Sequence, residues 1–180
     1  MKTTWLRAIA RTTLAILMLA TFAQVWVSAQ DKGNQEQSDE QTQDDSSNRR
    51  RNARALEGTW DAQVMIRNCQ TGEVIRTFAS IGTFMSGGTM LDSTSGIPQA
   101  QRTPGHGVWR HISGRTYLFK FKSFSFDPSG NPTGWTIITH EATLNRHATE
   151  YESAGTAEVY NPNGTLIFTG CSSTTATRFE

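Results

Sequence analysis

Apolar and polar residues alternate one by one along GTWDAQVMIRN, residues 58–68. Trp60, Ala62, Val64 and Ile66 share one parity. Asp61, Gln63 and Arg67 share the other, with Met65 the exception. A period of two predicts a half-buried β-strand. The same alternation recurs between turn signals, which predicts further strands over residues 74–84, 89–94, 107–112, 116–126, 134–144, 150–160 and 165–178. The breakers include CQTGE, SGG, DPSGNPTG and NPNG, and Asn163-Gly164 is a strong hairpin signal. One connection is long, Ser95 to Gly107, SGIPQAQRTPGHG. No stretch of the domain keeps a helical period. The pattern therefore predicts an all-β fold, an eight-stranded antiparallel up-and-down barrel. Closure removes the sheet's exposed edges, and eight strands leave an interior that side chains fill or that holds one small ligand.

The faces of that barrel follow from the same alternation. Lys120 and Lys122 alternate with Tyr117, Phe119 and Phe121, and Glu150, Glu152 and Glu158 alternate with Tyr151, Ala157 and Val159. Charges facing lipid would cost ~2–4 kcal/mol each near the bilayer midplane, less for Glu. Residues 165–178 are rich in Ser and Thr on both parities, so that strand has no lipid face. A water-soluble barrel with an apolar interior is expected.

Two cysteines are present, Cys69 and Cys171. In an exported chain an isolated pair reads as one disulfide. Facing residues of an antiparallel pair have a constant index sum. Setting Cys69 opposite Cys171 therefore brings Trp60 level with Glu180 and Arg178 level with Ala62. Arg178 then lies diagonally beside Trp60 on the inner face, and both cysteines fall on the other face. A Gly58-x-Trp60 at the start of the first strand with Arg178 near the end of the last resembles the lipocalin, or calycin, arrangement. That resemblance implies that Trp60 closes the barrel base with Arg178 packed over its ring in a cation–π contact. The chain departs from lipocalins in lacking a C-terminal helix and in the placing of its long loop. The strings RNCQTG, PGHGVWRH, NPNG and TGC also resemble a group of exported bacterial proteins without assigned activity, a likeness that supplies an architecture and no chemistry.

Composition divides the chain into three parts. Residues 1–29 read as a signal peptide, with Lys2, Arg7 and Arg11 before an apolar stretch and Val27-Ser28-Ala29 at a cleavage point between Ala29 and Gln30. Residues 30–54 have no apolar side chain except Ala53 and are expected to be a disordered linker. Residues 55–180 form the barrel domain. Of 17 Lys and Arg, three lie in the signal, so the mature chain carries 14 against 16 acidic residues. That balance gives no reason to expect a nucleic-acid partner. A monomer that is secreted or periplasmic, with no membrane span in the mature chain, is expected.

Candidate chemistry is sparse. The four histidines are His106, His111, His140 and His147. His106 and His111 point to opposite faces of one strand and His147 falls in a turn, so no metal site and no cofactor are expected. His140 shares a parity with Ile138, Ala142 and Leu144 and should point inward, as a hydrogen-bonded core residue or as a polar anchor for a ligand. There is no Gly-x-Ser-x-Gly elbow, and no catalytic residue is assigned. The interior positions Tyr117, Phe119, Phe121, Ile138 and His140 are the candidate lining for a small apolar ligand. Two alternatives stand beside a binding module: an enzyme working in the same cavity, and a filled barrel serving as a structural or interaction protein of the cell envelope. Free volume inside the barrel separates the last from the other two.

Overall fold

A computed structural model describes residue 47 and residues 50–179. The signal peptide, its Ala29–Gln30 cleavage point and nearly all of the expected linker lie outside the described residues. The chain forms β1 (Gly58–Arg67), β2 (Val74–Phe84), β3 (Thr89–Thr94), β4 (Gly105–Ser113), β5 (Thr116–Phe126), β6 (Pro132–Leu144), β7 (Glu150–Tyr160) and β8 (Leu166–Arg178). A single 3-10 turn, Gln99–Gln101, interrupts the β3–β4 loop. Each strand pairs with its sequence neighbour, and β8 pairs antiparallel with β1, so the sheet closes into the expected barrel. β4 is longer than expected at both ends, and its start at Gly105 shortens the long loop to residues 95–104; β6 begins two residues earlier than expected, at Pro132.

Inward and outward faces follow parity. Trp60, Ala62, Phe84, Met90, Trp109, Tyr117, Phe119, Leu144 and Tyr151 are buried inside, whereas Asp61, Gln63, Lys120, Glu141, Glu150 and Glu152 are exposed. This apolar-in, charged-out arrangement is the reverse of an outer-membrane barrel. Among the described residues no helix is long and apolar enough to cross a membrane.

Cys69 and Cys171 form the expected disulfide, with their Cα atoms 5.2 Å apart. The β1–β8 register, however, differs from that expected. Trp60 faces Arg178 directly and Cys171 faces Arg67, a shift of two residues. The cause is local. The chain leaves the ladder at Asn68, whose side-chain oxygen accepts hydrogen bonds from the amides of Gln70 (2.8 Å) and Thr71 (3.2 Å). Cys69 therefore sits in the turn beyond the strand and reaches Cys171 diagonally. An even shift preserves parity, so the inner face is unchanged.

The base is closed by β1, β8 and the residues that precede β1. Trp60 is fully buried, and its Nε1 donates to the Leu56 carbonyl at 3.0 Å. The Arg178 guanidinium carbon lies 4.3 Å from the centre of the Trp60 ring system. The same guanidinium donates to the carbonyls of Ala148 (3.0 Å), Glu57 (2.8 Å) and Ala55 (2.8 Å). Gly58 has φ of 124°, and a Cβ there would stand 2.6 Å from Arg178 Nη1. Glycine is thus required both by the backbone and by the space the arginine occupies. Residues 50–54, placed in the linker by composition, are helical and lie against the base. The Tyr117 hydroxyl donates to the Asn52 carbonyl.

Two outcomes follow. Arg178→Lys keeps the charge but cannot reach three carbonyls with a planar fork, so it should lower unfolding free energy by ~2–4 kcal/mol in urea titrations. A change within ~0.5 kcal/mol would contradict the role given to that side chain. The disulfide closes a separation of 102 residues, for which chain entropy gives a ceiling of ~4–5 kcal/mol. Replacing both cysteines by serine should lose much of that, and an unchanged denaturation midpoint would count against it.

Candidate ligand-binding cavity

Above the base the barrel is hollow. A cavity of about 290 Å³ extends upward from Ala62, Phe84, Met90 and Tyr151 to a mouth bordered by Ile66, Phe78, Ile97 and Phe168. Its lower end is packed shut by edge-on aromatic contacts. Trp60 and Tyr151 have ring centres 5.0 Å apart, Phe84 and Phe119 5.5 Å, and Phe84 and Trp109 6.1 Å. Trp109 also donates from Nε1 to the Met85 carbonyl at 2.9 Å, which makes it part of the core.

Four of the five expected lining residues, Phe119, Phe121, Ile138 and His140, border this cavity. Tyr117 shares their parity but sits lower. It packs between Trp109 and His111 and belongs to the base, away from the cavity wall.

His140 is held on both sides. Its Nδ1 lies 3.0 Å from Ser153 Oγ and its Nε2 lies 2.8 Å from Ser172 Oγ. Burial depresses its pKa to about 4, so the imidazole is neutral at neutral pH. A base that weak, with both nitrogens engaged, suits a polar core fixture rather than proton abstraction. The β6–β7 approach beside it is tight: His140 faces Gly155, where a Cβ would stand 1.9 Å from the Thr139 carbonyl.

Several polar residues of the cavity lie outside the expected set. Asp92 of β3 points inward and is 8 % exposed. Its Oδ1 accepts from Arg102 Nη2 at 2.5 Å and its Oδ2 from Ser80 Oγ at 2.7 Å. Arg102 comes from the β3–β4 loop, just after the 3-10 turn, where it bridges to Ser125. Arg76 of β2 donates to the Gly96 carbonyl of the same loop at 2.5 Å and stacks its guanidinium 5.5 Å from the Phe78 ring centre. Loop residues are bonded to β2 through Ser95–Ala79 and to β5 through Thr103–Phe124. The loop is thus an upper wall of the cavity. Tyr151 completes the polar set. Burial, and next the Asp92 charge, push its hydroxyl pKa up, so it stays protonated. Asp92 and Tyr151 both have the parity of inward neighbours in the sequence. Arg102, in a segment without period, has no such signal.

Among the described residues no group of three or more His, Cys, Asp or Glu is placed to hold a metal ion.

The His140 environment has a measurable consequence. The folded pKa of about 4 lies below the ordinary 6.5. The unfolded chain therefore takes up a proton that the native state refuses as pH falls through that window. The stability this site allows is complete above ~6.5 and declines by ~2–3 kcal/mol by pH ~4.5. Urea midpoints at those two pH values should differ less in His140→Gln than in the parent, and an identical pH dependence would contradict this assignment. No protein-family model matches this chain, and no curated protein matches it significantly, so the cavity itself carries the functional reading.

Proposed function

We propose that the chain is an exported binding protein whose barrel holds one small, mostly apolar molecule in the cavity above Trp60. The observation that carries this reading is the one-ended interior. The base is packed shut by Trp60 and Arg178, the opposite end leads out past Ile97 and Phe168, and about 290 Å³ lies between. Ligand pockets run from roughly 300 to 1,000 Å³ and are mainly apolar with a few placed polar groups. This cavity stands at the small end of that range and has that lining. An open interior favours a carrier over a filled barrel of the cell envelope. The double engagement of His140 favours binding over catalysis. The disulfide suits an oxidising compartment, in keeping with a secreted or periplasmic monomer.

Native mass spectrometry of protein purified from its host should reveal a small molecule bound one to one. A neutral environment-sensitive dye such as Nile red should bind saturably to protein freed of that molecule. Ile138→Trp, which places a large ring in the cavity, should abolish dye binding while leaving the fold intact by circular dichroism. No retained molecule, no saturable dye binding and no thermal shift across a lipid panel would overturn the proposal.

A further inference from the structure

We infer that the ligand is a monocarboxylate on an apolar chain, its carboxylate held by the guanidinium groups of Arg102 and Arg76. This inference rests on the binding function proposed above and specifies the ligand's chemistry.

The charges that border the cavity are unequal. Arg76, Asp92 and Arg102 are the ionic side chains in its wall, two cations to one anion. His140 adds no charge at neutral pH. Arg102 and Asp92 are an ion pair whose side chains are 10 % and 11 % exposed, which leaves the charge of Arg76 unmatched in the wall. A positive excess beside an apolar space favours an anion there.

Hydrogen-bonding capacity points the same way. Both oxygens of Asp92 are already bonded, one to Arg102 and one to Ser80. Each guanidinium has five N–H donors. Arg102 directs Nη2 to Asp92, and Arg76 directs Nη2 to the Gly96 carbonyl. Their remaining N–H groups have no hydrogen-bond partner among the described residues; Arg102 has no nitrogen that is both buried and unpartnered, Arg76 is exposed, and both side chains border the cavity. The Tyr151 hydroxyl faces the same space, on a residue only 4 % exposed, and bonds to no described residue. The unused polar capacity of the charged groups in the wall is therefore donor capacity. A carboxylate, which only accepts and which matches a guanidinium fork, is its complement. An ammonium head would meet two guanidinium groups and find the one carboxylate occupied. The rest of the ligand has Ala62, Phe84, Met90, Phe119, Phe121 and Ile138 to lie against.

Displacement of Nile red from the exported protein by decanoate, decanol and decylamine at pH 7 tests this. Decanoate should compete at least about tenfold more strongly than decanol, and decylamine least. Arg76→Gln, whose amide can still donate to the Gly96 carbonyl, should weaken decanoate about tenfold and decanol far less. Arg102→Gln made together with Asp92→Asn, so that no buried carboxylate loses its partner, should do the same. Decanol equal to or stronger than decanoate, or variants that weaken both alike, would overturn the carboxylate assignment while leaving the binding function standing. Failure of all three compounds in protein that does bind Nile red would overturn it as well. Failure of Nile red itself would overturn the binding function.

Discussion

The guanidinium of Arg178 is where the first strand, the last strand and the β6–β7 turn are tied together. It lies over Trp60 and accepts no substitute geometry, because three carbonyls from two separate segments converge on it. Bonds from a charged donor are worth ~1.5–3 kcal/mol each, and a desolvated cation–π contact adds up to ~2. Those bonds hold the residues before β1 beneath the barrel, where Leu56 is fully buried and receives the Trp60 N–H. Without that clamp the base would be a ring of strand ends around a hole. With it, the barrel is closed below and its free space opens at one end.

That asymmetry organises the rest. The lower half is filled by Trp60, Trp109, Phe84, Tyr117 and Tyr151, whose edge-on and tilted contacts leave no room for a guest. The upper half has smaller or sparser inward residues, among them Ala62, Val64, Ile138 and Ala157, and stays open. The β3–β4 loop walls this half, held by Arg76 of β2 on its Gly96 carbonyl and by its own Arg102 on Asp92. Groups that fix the loop and groups that would meet a ligand are therefore the same side chains. The disulfide adds a covalent tie between the β1–β2 turn and β8 at this end, opposite the Arg178 clamp.

Much of this was legible in the alternation of residues. Period-two patterning set the strands, and parity put Phe119, Phe121, Ile138 and His140 inside, because successive strand side chains must face opposite ways. Parity says nothing about height along the barrel, and that is why Tyr117 was expected in the cavity and is found in the base. The cysteine pairing was readable from compartment and count. The exact opposition was not, because an Asx turn at Asn68 removes Cys69 from the ladder. Arg102 was invisible as a site residue, since it comes from a loop with no period and is placed by its bond to Asp92. Residues 50–54 carry linker composition, and their helical docking depends on a hydroxyl from β5, far away in sequence.

The proposed guest occupies the upper interior and nothing else on the barrel. Isotope-filtered NOE spectroscopy on labelled protein with unlabelled decanoate measures this directly. Contacts from the alkyl chain to Phe119, Phe121, Ile138 and Met90 are expected. Contacts confined to outward residues such as Phe124, Ile75 or Ile81, or none at all in a saturated sample, would contradict it.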